Sequence, residues 1–146
     1  MKKQTYLIIA AIMLATVAGL STAHAQTSSK LNLTANIPFD FYVGDKAMPA
    51  GEYTVICVNP TSPVKVLQIR SKSGTTSAIV RTNSVNGLNQ DNGRLLFNRY
   101  GDQYFFAQAW MAADGIGMQA PPSRAMKELE LARAKHTTEA LLASAR

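Results

Sequence analysis

The chain has 146 residues, with 15 basic and 9 acidic side chains and a single cysteine. One cysteine excludes an intrachain disulfide, and no pair of His, Cys or carboxylate residues has the spacing of a zinc site or another cofactor motif. The basic residues (Lys46, Lys65, Arg70, Lys72, Arg81, Arg94, Arg99) are scattered rather than gathered into a stripe, which argues against nucleic acid as a partner.

Residues 1–25 read as a secretory signal. Lys2 and Lys3 form a positive start, and Tyr6 to Leu20 is an uncharged run of 15 residues. Ala23-His24-Ala25 has the small-x-small form cut by signal peptidase, so cleavage is expected between Ala25 and Gln26. The run is shorter than the roughly 20 residues that span a bilayer, so no membrane span is expected after cleavage. Without Lys2 and Lys3, 13 basic residues stand against 9 acidic ones, a net charge of +4. The chain then divides into a polar leader (26–30), a β-domain (31–119) and a C-terminal helix with its tail (120–146).

Leu31 to Val43 alternates without a break: every odd-numbered residue is apolar. Such a period of two predicts a strand or strand pair with one buried face, interrupted or at an edge where Pro38 removes a donor. Phe39 falls on the core face, and Asp40 is expected to be solvated. Met48-Pro49-Ala50-Gly51 is a turn. Glu52–Val58 follows as a strand, and its β-branched surroundings predict a buried, inert Cys57. Further strands are expected at Val64–Ser71 and Ser77–Thr82, and a loop over Asn83–Gly93.

Arg94–Tyr100 and Gln103–Met111 form a predicted hairpin around Gly101-Asp102, a type II′ turn. In this register Phe97 faces Phe106, Leu96 faces Ala107, and Arg99 faces Tyr104. Ala112–Gln119 reads as irregular. Ser123 is a good N-cap, and Arg124–Lys135 has strong helix propensity. Residues 137–146 either extend that helix or fray. Six or seven short strands and one helix predict an all-β antiparallel sandwich or small barrel, mostly a meander, with a C-terminal α-helix. The uneven strands do not suit a transmembrane barrel.

Ile37-Pro38-Phe39-Asp40-Phe41, Pro49-Ala50-Gly51-Glu52-Tyr53, the run from Asn98 to Phe105, and Ser123-Arg124-Ala125-Met126-Lys127-Glu128-Leu129 together span most of the chain beyond the signal. On these stretches the chain resembles a group of small exported proteins common in acidobacterial genomes. The resemblance implies export and a β-rich domain, and it carries no activity. Members of the group often have glutamate at the position of Met126, where it would complete a capping box with Ser123.

For function, the residues favour a non-enzymatic exported domain, periplasmic or extracellular, with a structural or binding role toward an envelope polymer or protein. Asp40, Asp45, Asp91, Asp102 and Asp114 read as turn or surface residues. The serines have no core histidine to activate them, which weighs against a small periplasmic hydrolase. The alternative is a glycan- or peptide-binding module. Alternation places Tyr104, Phe106 and Trp110 on one face of the hairpin, beside Arg99, as a ligand platform. Against it stands a simple core face, with the C-terminal helix as a cover. A third possibility is a docking segment made by Met126, Leu129, Leu131 and Ala132.

Overall fold

The computed structural model describes residues 31–132 and 134–145. The expected signal, its cleavage site at Ala25 and Gln26, and the polar leader lie outside these residues.

Among the described residues, ten strands and one helix follow in chain order: β1 (Asn32–Ile37), β2 (Phe41–Val43), β3 (Lys46–Met48), β4 (Gly51–Cys57), β5 (Lys65–Ser71), β6 (Ser77–Asn86), β7 (Gly93–Tyr100), β8 (Gln103–Trp110), β9 (Ile116–Gln119), α1 (Arg124–Leu131) and β10 (His136–Ala145). Eight of the strands close on themselves in the order β8-β7-β10-β1-β4-β5-β6-β9, with β9 pairing back to β8. The short β2–β3 hairpin hangs on β8 through one parallel pair, Tyr42 with Phe105. The fold is therefore a closed barrel with extra strands, and not a sandwich of six or seven.

Closure removes the exposed edges that an open sheet would offer to other chains. An eight-stranded barrel is just wide enough for its interior to be filled by side chains. Leu33, Ile37, Phe41, Tyr53, Val55, Leu67, Ile69, Leu95 and Phe97 fill it, each at most 1 % exposed. Cys57 also points inward and is fully buried. Phe97 is the hub: Phe39, Phe41 and Phe106 meet its ring edge-on at centroid distances of 5.3, 5.4 and 5.9 Å.

The alternation over Leu31–Val43 is borne out, with the chain breaking after Ile37 at Pro38. Two details differ. Phe39 is only half-buried, because it lies across one mouth of the barrel rather than within it. Asp40 is engaged as well as exposed: its Oδ1 accepts the Ala50 N–H at 2.8 Å, tying the β1–β2 link to the turn before β4.

Three stretches were misjudged by local reading. β6 runs on to Asn86, pairing with β9, so both the loop expected from Asn83 and the irregular stretch expected up to Gln119 contribute a strand. The tail from residue 137, expected to extend the helix or fray, forms β10 together with His136, over His136–Ala145. It pairs with β7 over eight residues, His136–Ala143, and with β1 at Ser144 and Ala145. The helix ends instead at Leu131. Ser123 caps it as expected, its Oγ accepting the Met126 N–H at 3.2 Å, so the cap needs no glutamate at position 126.

The β7–β8 hairpin has the expected turn, with Gly101 at φ 60° and Asp102 outside the positive-φ region. Phe97 faces Phe106 and Arg99 faces Tyr104, but Leu96 faces Gln108 instead of Ala107. Ala107 is the extra residue of a β-bulge, and beyond it the inward and outward positions exchange. Trp110 consequently leaves the face of Phe106. It lies outside the barrel, opposite Gly117, with its Nε1 donating to Gln108 Oε1 at 2.9 Å.

Glycine is required under that ring. A Cβ at Gly117 would lie 2.5 Å from Trp110, and one at Gly87 only 2.4 Å. Gly117→Ala is expected to destabilise the fold by about 1–3 kcal/mol through overpacking. In a Trp110→Leu background the same change should cost much less, measured by urea denaturation. Equal costs in the two backgrounds would place the constraint in the β9 backbone instead.

Candidate functional site

The four residues of the expected aromatic platform are split between three environments. Arg99 and Tyr104 do come together at one mouth of the barrel. The Tyr104 ring stacks on Phe39 at 3.8 Å, and the Arg99 guanidinium carbon lies 5.3 Å from its centroid. Arg99 is committed there: Nε donates to the Gly101 carbonyl at 2.8 Å, and Nη1 is 3.6 Å from Glu139 Oε1. Phe106 is 4 % exposed inside the barrel, and Trp110 is 4 % exposed on the outside, with the Arg94 guanidinium carbon 5.6 Å from its ring. The bulge at Ala107 turns Trp110 away from the face of Tyr104 and Phe106, and burial removes Phe106 from the surface, so no common platform forms.

The helix does cover an aromatic face of this hairpin, but the opposite one. Met126 packs with Phe105 and Tyr100, and Leu129 joins them, while Leu131 is 83 % exposed and Ala132 lies on the open side. Tyr42 stacks on Phe105 at 5.2 Å from the outer strand β2. Tyr100 Oη donates to Glu130 Oε1 at 2.8 Å, linking hairpin to helix.

Burial, the Glu130 hydrogen bond and the Glu130 charge together push the Tyr100 phenol up to about 12. The neutral phenol is therefore favoured in the fold over the unfolded chain, where tyrosine titrates near 10. Its contribution is fully present below pH 10 and is lost as the pH rises from 10 toward 12. Tyr100→Phe should flatten the decline of stability across that window, measured as thermal midpoints from pH 9 to 12. An unchanged decline would mean that other groups cause it.

The outer face of β4 and β5 carries a second cluster, which sequence reasoning did not single out. Register places Asn32, Ile56 and Gln68 in one outward row, and Thr34, Thr54 and Arg70 in the next. A shallow depression of about 290 Å³ is lined by Thr54, Ile56, Gln68, Arg70, Ser71 and Lys72. It meets a second of about 300 Å³ at Ser71 and Lys72, where the turns before β4 and after β5 lie. Lys72 Nζ is held by Glu52 at 2.8 Å, whereas Thr54, Gln68 and Arg70 have no side-chain partner among the described residues. Asn32 Oδ1 and Thr34 Oγ1 are buried and likewise unpartnered. The available signal was the polar alternation of Glu52–Val58 and Val64–Ser71 once their pairing is known.

Among the described residues, no group of three or more His, Cys, Asp or Glu side chains could hold a metal ion. Asp114 Oδ1 accepts the Ile116 N–H at 3.0 Å, a turn role of the kind expected for it. No family model, curated protein or solved structure matches this chain.

Proposed function

We propose that the mature chain is a non-enzymatic, exported barrel that acts in the cell envelope through its outer surface, by binding or structural support. The observation that carries this reading is the filled interior. Large aromatic and aliphatic side chains, among them Phe41, Tyr53, Leu67 and Phe97, occupy the space where a ligand-binding barrel keeps a cavity. Recognition is thereby left to the outside. That outside is polar along β1, β4, β5 and β7, with Asn32, Thr34, Thr54, Gln68, Arg70 and Asn98 facing outward. The apolar interior is the reverse of the polar lumen of an outer-membrane barrel, and on the outside these polar side chains are interspersed with exposed Ile79, Ile116 and Leu142 rather than replaced by a continuous apolar belt, which supports a water-exposed location. The signal-like N-terminus and the resemblance to small exported proteins support export.

The test is fractionation of cells expressing the whole gene. The expected product is a periplasmic or secreted protein whose intact mass corresponds to a chain starting at Gln26, and which sediments with purified envelope material. Full-length protein retained in the membrane fraction, or mature protein that ignores every envelope preparation, would overturn this function.

A further inference from the structure

We infer that the outer trough along β4 and β5 is a binding groove for an extended acidic glycan, an inference that rests on the binding role proposed above. Shape is the first ground. Two depressions of about 290 and 300 Å³ both touch Ser71 and Lys72, so they lie side by side at the end of β5. Each alone is near the lower bound of small-molecule sites, and their adjacency suits a ligand longer than either one.

Chemistry is the second ground. Thr54 offers a hydroxyl, Gln68 an amide, and Arg70 a guanidinium, all without side-chain partners among the described residues. Such mixed donors and acceptors match the hydroxyls of a sugar. Ile56 lies between them as the apolar floor for a ring face.

Charge selects the class of glycan. The Arg70 fork is free to hold a carboxylate with two parallel hydrogen bonds, and Arg81, on the outer side of β6, is also exposed and unpaired. Lys72 is neutralised by Glu52 and leaves the carboxylate to Arg70. The one aromatic residue in the lining, Tyr53, is 1 % exposed and so offers no stacking platform of the kind found in a single-stranded nucleic-acid site. The depression at the barrel mouth, lined by Arg99, Gly101, Lys135 and Thr137, is a weaker candidate because Arg99 is already bonded to Gly101 and Glu139.

Purified mature protein would be titrated with polygalacturonate, and in parallel with neutral dextran, a single-stranded DNA oligonucleotide and phosphatidylglycerol vesicles. The expected result is salt-sensitive binding to polygalacturonate above the other three. Arg70→Gln should weaken it about tenfold by removing a charge-assisted bidentate contact. Thr54→Val should weaken it less, and Lys135→Gln at the barrel mouth should leave it unchanged. All three positions are at the surface, and thermal melts would verify an intact fold. Equal affinity for DNA or vesicles, or no effect of Arg70→Gln, would overturn the inference. Protein that sediments with whole envelope material but ignores polygalacturonate would refute the acidic glycan and leave the binding role standing. Protein that binds neither would refute both.

Discussion

Ending the chain at Lys135, so that β10 is never made, should abolish cooperative folding. β10 faces β7 across eight register pairs and fastens β1 at two more, so without it the barrel opens between β7 and β1. A ladder of that length supplies about eight hydrogen bonds worth roughly 1 kcal/mol each, comparable to the 5–15 kcal/mol that holds a typical domain together. Ala143, 7 % exposed, and Leu141, packed on the core, would be lost with it, and water would reach Leu33, Leu95 and Phe97. The freed edges would also invite pairing between molecules. Circular dichroism on heating and size-exclusion chromatography would read the result. Ending the chain at Ala143 instead removes only the two pairs to β1 and should give a weakened but cooperative transition. A sharp thermal transition in the shorter protein would show that β10 is an accessory rather than the closing strand.

Phe97→Ala should be the most damaging single core substitution, costing about 3–5 kcal/mol. Its ring is fully buried and meets three other aromatic rings, from the β1–β2 link, from β2 and from β8. Those neighbours belong to different elements and cannot collapse together into the space left behind, so the cavity term adds to the lost burial. Phe39→Ala should cost clearly less, since Phe39 is half-buried at the mouth and touches the core from one side. Urea midpoints at constant slope would compare the two variants. Similar losses would mean that Phe39 plugs the barrel as firmly as Phe97 fills it.

Most individual strands were legible because their signals are local. A period of two over Leu31–Val43, β-branched residues around Cys57, and glycine at position 101 each act within a few residues, and the barrel keeps all three. The Ser123 cap is equally local. The candidate site divides differently. That Arg99 faces Tyr104 followed from the hairpin turn, since the turn sets the register next to it. The position of Trp110 did not follow, because one extra residue at Ala107 reverses every side chain beyond it, and a bulge leaves no mark in the alternation of nearby apolar residues. The trough on β4 and β5 was hidden for a related reason: Thr54 and Arg70 are sixteen positions apart along the chain and become neighbours only once the strands pair.

By itself the sequence determined that this chain makes β-strands, which residues from Leu31 to Val43 turn inward, that Cys57 is buried, where the hairpin bends and where the helix begins. These follow from steric and hydrogen-bonding preferences within a residue's own neighbourhood. The tertiary structure alone decided that the strands close into a barrel, and it did so through residues 136–145. Their Glu-Ala-Leu-Leu-Ala core has the propensity of a helix, worth only tenths of a kcal/mol per residue. The vacant edges of β7 and β1 offer a full ladder of hydrogen bonds and a place for Leu141 and Ala143 against the core. That larger, non-local gain overrides the local preference and closes the barrel.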